Sequence, residues 1–346
     1  MNILVDIVHP AHVHFFKHII QGLAARGHSI RIVARDKDVT HELLDHYGFS
    51  YVSVGRAYRK SRFRQFGELL GRDLFLWREA RRCSADVILT RNPAGVQAAR
   101  LAGAIGIFDT DDGFTAGIHF SAAAPFAHFI TTPDCLEENL GPKQRTYPGY
   151  KQSAYLHPDL FTPSPEVFDY LGLETGSRYF LLRFVSMTAS HDSGEAGLPV
   201  ATKRAIVKKL RPHGRVLISC EGDLPSEWEE LRVNIPAHLI HDVLAHCTIF
   251  IGDSQTMAAE AAFLGVPNLR VSTFVGRLQY LQQLEHRFHL TQGYLPGETE
   301  RLLGALDELL ANRNLQDDWT AARNRLLCEK ENVVDWYIRF VESVKD

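Results

Sequence analysis

The chain has 346 residues, 45% of them hydrophobic and 23% charged, with a formal net charge of -3. That balance excludes a disordered or fibrous chain and gives no global case for nucleic acid, and the length suggests about two domains. The five cysteines lie far apart with no Cys-x-x-Cys pair, which argues against a zinc site or disulfide framework and for a reducing compartment. The opening MNILVDIVHP lacks the charged region and apolar run of a signal peptide, and no apolar run reaches the roughly 18 residues of a membrane span. The expectation is a cytoplasmic protein.

The first half alternates strands and helices. Residues 2–8 are a short apolar run, read as a central strand. Residues 13–26 follow with helical periodicity, Val13, Phe16, Ile19, Ile20 and Leu23 sharing a face, and Gly27 stands where a C-terminal cap belongs. Strands are expected at 29–34, 51–54, 86–90 and 104–108, with a helix at 39–47. Strands separated by helices imply parallel βαβ units. Five prolines between Pro142 and Pro165 then break the pattern and mark a linker. The grammar restarts with a strand at 179–185, a helix at 198–210 and strands at 215–219, 248–251 and 268–271. The reading is α/β: two Rossmann-like doubly wound domains facing a cleft, residues 1–160 and 161–325. In open sheets of this kind ligands bind beyond the carboxyl ends of the strands.

The segment IFIGDSQTMAAEAAFLGVP carries the sharpest chemistry. It reads as a strand end, a turn at Gly252 and a helix capped by Ser254. Free amides and the dipole of a helix start attract an anion such as a phosphate. Ser254, Gln255 and Thr256 add side-chain donors. Glu260 lies six residues beyond Ser254, roughly 9 Å along a helix, on the face of Thr256. A carboxylate there suits two vicinal sugar hydroxyls. The plainer alternative is a capped core helix with a solvated Glu260.

GDSQTMAAEAAFLGVP resembles the nucleotide-binding segment of the GT-B superfamily, in which a small-residue turn precedes a helix with a glutamate and a Leu-Gly-x-Pro turn. It is similar to the non-hydrolysing UDP-N-acetylglucosamine 2-epimerases, with their Asp-Ser-Gly-Gly, Glu-Glu and Leu-Gly-x-Pro. The N-terminal His12-Val-x-x-Phe, followed by Arg26-Gly-His-x-Ile-x-Ile-Val, resembles the start of the peptidoglycan N-acetylglucosaminyltransferase. Over nearly its whole length the chain also resembles a little-characterised bacterial and archaeal family grouped with these enzymes, through HPAHVHFFKHI, FDTDDG, RFVSMTASHDSG and the segment above. The resemblance implies that Gly252, Ser254, Gln255 and Thr256 meet a diphosphate and Glu260 a ribose. It also implies that the last helix, in residues 326–346, returns to the first domain.

Three further clusters invite roles. His9, His12 and His14 suggest a metal, loop packing, or one imidazole titrating near neutral pH for acid–base work. His12 aligns with the transferase histidine and is the favoured base, with His9 nearer the acceptor. Asp109, Asp111 and Asp112 follow a strand directly. Asp-x-Asp invites a divalent cation, or strand-end capping. The epimerases carry Glu-Ala-Gly at the equivalent place, its glutamate an acid/base, and Asp111 matches it loosely; the arginine that follows there is absent. Asp111 is therefore a second candidate base and Asp109 an acceptor contact. In RFVSMTASHDSG, Ser190-His191-Asp192 cannot form a relay, since adjacent residues lack the geometry. Arg183, Ser186, Ser190 and His191 are read as diphosphate contacts, against the alternative of a solvated polar loop.

Charge segregates most strongly in residues 56–82, where nine basic residues face three acidic ones and Phe, Leu and Trp interleave. The stretch reads as an amphipathic helix with solvated arginines, or as a surface for a lipid-linked or anionic acceptor at the inner membrane face, with Arg59, Lys60 and Arg62 as acceptor contacts. The expected protein is a metal-independent GT-B glycosyltransferase without a cofactor, using a UDP-sugar donor and a saccharide or lipid-linked acceptor and binding no nucleic acid. The alternatives are a UDP-HexNAc 2-epimerase and a non-catalytic nucleotide-sugar binder.

Overall fold

The architecture comes from a computed structural model. It describes residues 1–56, 62–184, 198–220, 222 and 224–345, with residue 56 and residues 62–70 described by backbone alone. The chain divides into two compact units, Met1–Leu160 with Lys330–Asp346, and Phe161–Glu329.

The first unit runs β1 (Asn2–Ile7), α1 (Pro10–Ala25), β2 (Ser29–Asp36), α2 (Thr40–His46), β3 (Tyr51–Arg56), α3 (Arg62–Arg82), β4 (Val87–Thr90), α4 (Pro93–Ala102), β5 (Ile105–Asp109), α5 (Ile118–Ala123), β6 (Phe129–Pro133), β7 (Gln144–Tyr147) and α6 (Ser153–Leu156). Its strands pair in parallel in the order β3-β2-β1-β4-β5-β6-β7. Ile3, Leu4, Val5 and Ile7 of the central β1 are fully buried, which is why that strand reads as a continuous apolar run. The strand order reverses between β1 and β4, so the crevice for a ligand opens beyond their carboxyl ends.

The second unit runs α7 (Val167–Tyr170), β8 (Tyr179–Phe184), α8 (Val200–Leu210), β9 (Arg215–Cys220), α9 (Ile240–His246), β10 (Ile249–Gly252), α10 (Gln255–Leu264), β11 (Asn268–Val271), α11 (Gln279–His286), β12 (Gln292–Tyr294), α12 (Thr299–Ala311) and α13 (Leu315–Glu329). Its strands are parallel in the order β12-β11-β10-β8-β9. Phe180, Leu182, Ile206, Ile218, Ile249 and Ile251 lie in its core. Here the reversal falls between β8 and β10, so Arg183 and Ser254 stand by the crevice.

The chain closes with α14 (Val333–Ser343), which packs on α1, α6 and β7 of the first unit. It buries Val333, Val334, Tyr337, Ile338 and Val341, and the Tyr337 ring meets Phe15 edge-on at 5.5 Å.

Two local readings need correction. The HPAHVH run is not a loop: Pro10 occupies the first turn of α1, and His9 caps it by accepting the Ala11 N–H at 3.2 Å. Proline is pre-set for that position, so the helix begins three residues before its first apolar repeat. The proline-rich passage is not all linker, because β7 lies inside it. Pro142 and Pro148 bracket a strand at the sheet edge, where proline costs no ladder hydrogen bond.

Candidate functional site

In the first unit the carboxyl ends of β1, β4 and β5 carry a buried ionic network. Asp6 of β1 takes both Nη2 contacts of Arg72, at 2.6 and 2.9 Å, and the Thr90 hydroxyl at 2.8 Å. Arg72 also donates to Asn92 Oδ1 at 3.1 Å, and that oxygen caps α4 by accepting the Ala94 N–H. One residue before that cap, Arg91 forks between Asp109 and Asp111. Lys151, from the loop after β7, reaches Asp111 Oδ2 at 2.7 Å. Asp109 also accepts from the hydroxyls of Thr131 and Tyr337, each at 3.1 Å.

His12 lies on the first turn of α1 beside this network. It is half-buried, and its Nδ1 is shielded from solvent with no hydrogen-bond partner among the described residues. Burial, then the charges of Arg91, His9 and Lys151, hold its pKa well below 6.5. The expectation of a group titrating near neutral pH is corrected: His12 stays neutral there, able to accept a proton but weakly basic. Its ring centroid is 6.2 Å from that of His9, which is exposed. Among the described residues no cluster of His, Cys, Asp and Glu has the grouping to hold a metal ion.

The structure argues against Asp111 as a base. Burial raises its pKa, but Lys151 and Arg91 outweigh this and hold the carboxyl well below the usual carboxylate range. A carboxylate committed to two cations is a poor proton acceptor. Asp109, fully enclosed, is pushed up by burial against the pull of Arg91. Sequence reading missed Asp6, Arg72, Arg91 and Lys151. The arginine it sought after β5 is absent there, but Arg91 brings one from the end of β4.

In the second unit β10 ends at Gly252, where a Cβ would lie 2.7 Å from the Arg183 carbonyl. Only glycine lets these strand ends approach so closely. The Asp253 N–H donates to that carbonyl at 3.2 Å. Ser254 caps α10, its Oγ accepting the Met257 N–H at 3.4 Å. Gln255 and Thr256 open the helix, where backbone amides have no intrahelical acceptor. Arg183 Nη1 donates to Ser219 Oγ at 2.7 Å. Glu260 is not solvated: it is buried, 3.3 Å from His241 Nε2 of α9.

Ser186, Ser190, His191, Arg59 and Lys60 lie outside the described residues, as does the Arg62 side chain. In the described part of α3, the basic-surface reading is corrected at Arg72, which is buried against Asp6. Glu79 is buried too and pairs with Arg31 at 2.5 Å and Arg82 at 3.1 Å, while Leu76 and Ala80 enter the core.

Two parallel, doubly wound units with a helix start at the second crevice define the GT-B fold. A family model described as "Protein of unknown function (DUF354)" matches residues 1–61. No curated protein matches the chain. Among solved structures, the UDP-GlcNAc 2-epimerase of Neisseria meningitidis bound to UDP-GlcNAc is similar with a TM-score of 0.72, at 10% identity over 100% of both chains. That of Methanocaldococcus jannaschii is similar with a TM-score of 0.62, at 12% identity over 94% of this chain and 99% of its own. The spinosyn rhamnosyltransferase SpnG complexed with thymidine diphosphate has a TM-score of 0.62, at 15% identity over 100% of both chains. At such identities the likeness is one of fold. Among the described residues no helix is long and apolar enough to cross a membrane.

Proposed function

We propose that the chain is a GT-B glycosyltransferase that takes a nucleotide-activated sugar, a UDP-sugar first, and works in cell-surface glycan or glycolipid synthesis. The observation that carries the reading is the β10–α10 junction. Ser254 caps a helix whose opening amides stand at the carboxyl edge of a parallel sheet, an arrangement suited to a diphosphate. In this reading Gln255 and Thr256 meet the phosphates, Glu260 meets the ribose, and Arg183 lies near the leaving diphosphate, with Ser186, Ser190 and His191 as further contacts. The helix start and cationic groups stabilise the departing UDP without a metal. Neutral His12 takes the acceptor proton, while Asp109 and Asp111 hold Arg91 and Lys151 beside it. The acceptor is a saccharide or lipid-linked saccharide, met by His9 and by Arg59, Lys60 and Arg62.

A second reading, 2-epimerisation of a UDP-HexNAc by elimination and re-addition of UDP, is favoured by the likeness to the epimerase folds. Incubation with labelled UDP-sugars separates the readings: UDP with a glycosylated acceptor, a C2-epimer, or binding without turnover. Sedimentation with anionic liposomes, before and after Arg59, Lys60, Arg62 and Arg64 are changed to Gln, tests peripheral attachment at the inner membrane face. Wild type left in the supernatant at low salt removes the membrane contact.

A further inference from the structure

Arg270 lies in β11, the strand beside β10, and its side chain is completely buried. Leu or Val would fill that position without taking a charge out of water. The guanidinium instead spends its donors in two directions. Nη2 pairs with Glu285 of α11 at 2.6 Å, and Nη1 donates to Gln255 Oε1 at 3.2 Å. Nε, also shielded from solvent, has no hydrogen-bond partner among the described residues. Glu285 is fixed in turn, because its Oε1 accepts the Gly293 N–H at 2.8 Å. Gly293 of β12 lets the guanidinium lie close, since a Cβ there would lie 2.7 Å from Nη2 and would push the arginine aside. Two strands and a helix are thus shaped around one guanidinium held against the first residue of α10.

The consequence falls on Gln255. A carboxamide has an acceptor end and a donor end, and fixing one fixes the other. With Oε1 turned to the buried arginine, Nε2 is the end left for other partners. One of its hydrogens goes to the Asp253 carbonyl at 3.3 Å. No partner among the described residues takes the second, and Gln255 is the first residue of a helix whose opening amides have no intrahelical acceptor. A carboxamide turned the other way would present its oxygen there and repel an anion.

We propose that Arg270 is a positioning residue of the anion site: it holds the Gln255 carboxamide oxygen-inward, so that the start of α10 offers an N–H to a diphosphate. This rests on the nucleotide reading above.

Isothermal titration with UDP of wild type, Gln255→Ala, Arg270→Met and the double variant tests it, each checked by circular dichroism and thermal melting. Each single variant should bind UDP about tenfold or more weakly, the loss of a hydrogen bond to a charged group. The double variant should be no weaker than the weaker single, because both remove the same contact. Folded Arg270→Met that binds UDP as wild type does, or losses that multiply in the double variant, would overturn the proposal. Should Arg270→Met not fold, Gln255→Glu gives the second measure. A carboxylate facing Arg270 should raise the melting temperature while UDP binding is lost, and an unchanged or lower melting temperature overturns the contact. Wild type that binds no nucleoside diphosphate sinks the nucleotide reading itself, whereas binding with uncoupled variants sinks only the role of Arg270.

Discussion

The Glu260 carboxylate lies 3.3 Å from His241 Nε2, and both side chains are buried. A buried carboxylate in an alanine-rich helix needs partners, and His241 is one. In the proposed nucleotide reading Glu260 is the ribose contact, one to two turns below the Ser254 cap. Glu260→Ala should weaken UDP binding by about 1.5–3 kcal/mol. A calorimetric titration with unchanged UDP affinity would assign Glu260 to packing alone.

His12 and Asp111 should separate kinetically. His12→Gln removes the proton acceptor and should lower kcat about 10²–10⁴-fold with little change in donor KM. Asp111→Asn acts differently, because it strips a buried partner from Arg91 and Lys151. It should cost about 3–5 kcal/mol of stability in denaturant unfolding, as broken buried pairs do. Equal stability losses in both variants would remove the distinction.

The Asp6–Arg72 pair should behave as a buried unit. Arg72→Met leaves Asp6, among the described residues, with the Thr90 hydroxyl alone and should destabilise by about 3–5 kcal/mol. Asp6→Asn in the same chain should restore part of that loss, since no uncompensated charge remains. Urea unfolding of the two singles and the double gives the coupling; additive losses would mean that the pair is not coupled.

How much of this was legible in the sequence follows from the kind of signal each residue gives. The doubly wound plan was readable because buried parallel strands are apolar runs and the intervening helices repeat at helical spacing. The Ser254 start was readable because a cap and a glycine turn are local chemistry. Strand β12, three residues long, is too short to show a period. The network of Asp6, Arg72, Arg91 and Lys151 was hidden because its pairs span 66 positions between Asp6 and Arg72 and join loops from different strands. Arg72 looked like one more member of a basic surface, and only the packing of α3 turns it inward. Arg270 sat unremarked in the strand Asn-Leu-Arg-Val, although a charged residue in so short a buried strand was itself the clue.

Acid should destabilise the fold through histidines whose pKa is lowered, of which His12 and His18 lie on α1 and His128 adds to them. Burial and neighbouring cations hold His12 well below its usual value, and burial, then Lys17, bring His18 down to about 4. In the unfolded chain both take up a proton near 6.5. Between about pH 4 and 6.5 the unfolded state therefore binds more protons, and stability falls as the pH falls through that window. Asp111 adds its own loss only lower, as pH drops below the usual carboxylate pKa. Changing both His12 and His18 to Gln should flatten the thermal-melting profile between pH 7 and 5. Equal slopes in wild type and variant would show that these histidines do not set it.

The returning helix reaches the network through one hydroxyl. Tyr337 of α14 donates to Asp109 at 3.1 Å, and its ring meets Phe15 of α1 edge-on at 5.5 Å. Glu342 on the same helix pairs with Arg26 at 2.7 Å and His28 at 3.1 Å, and Lys330, just before it, with Asp134 at 2.7 Å. The exposed Arg26–Glu342 pair contributes little. The buried hydroxyl matters more, because Asp109 is fully enclosed and, among the described residues, Arg91 and Thr131 are its remaining donors. Tyr337→Phe keeps the ring and its packing, so any loss reports the hydroxyl. It should cost about 1–3 kcal/mol, the penalty for an under-satisfied buried acceptor. If Asp109 also sets the position of Arg91 beside His12, the variant should lower kcat while donor affinity stays as in wild type. Denaturant unfolding and UDP titration together decide: a stable variant with normal turnover would reduce Tyr337 to an ordinary core aromatic.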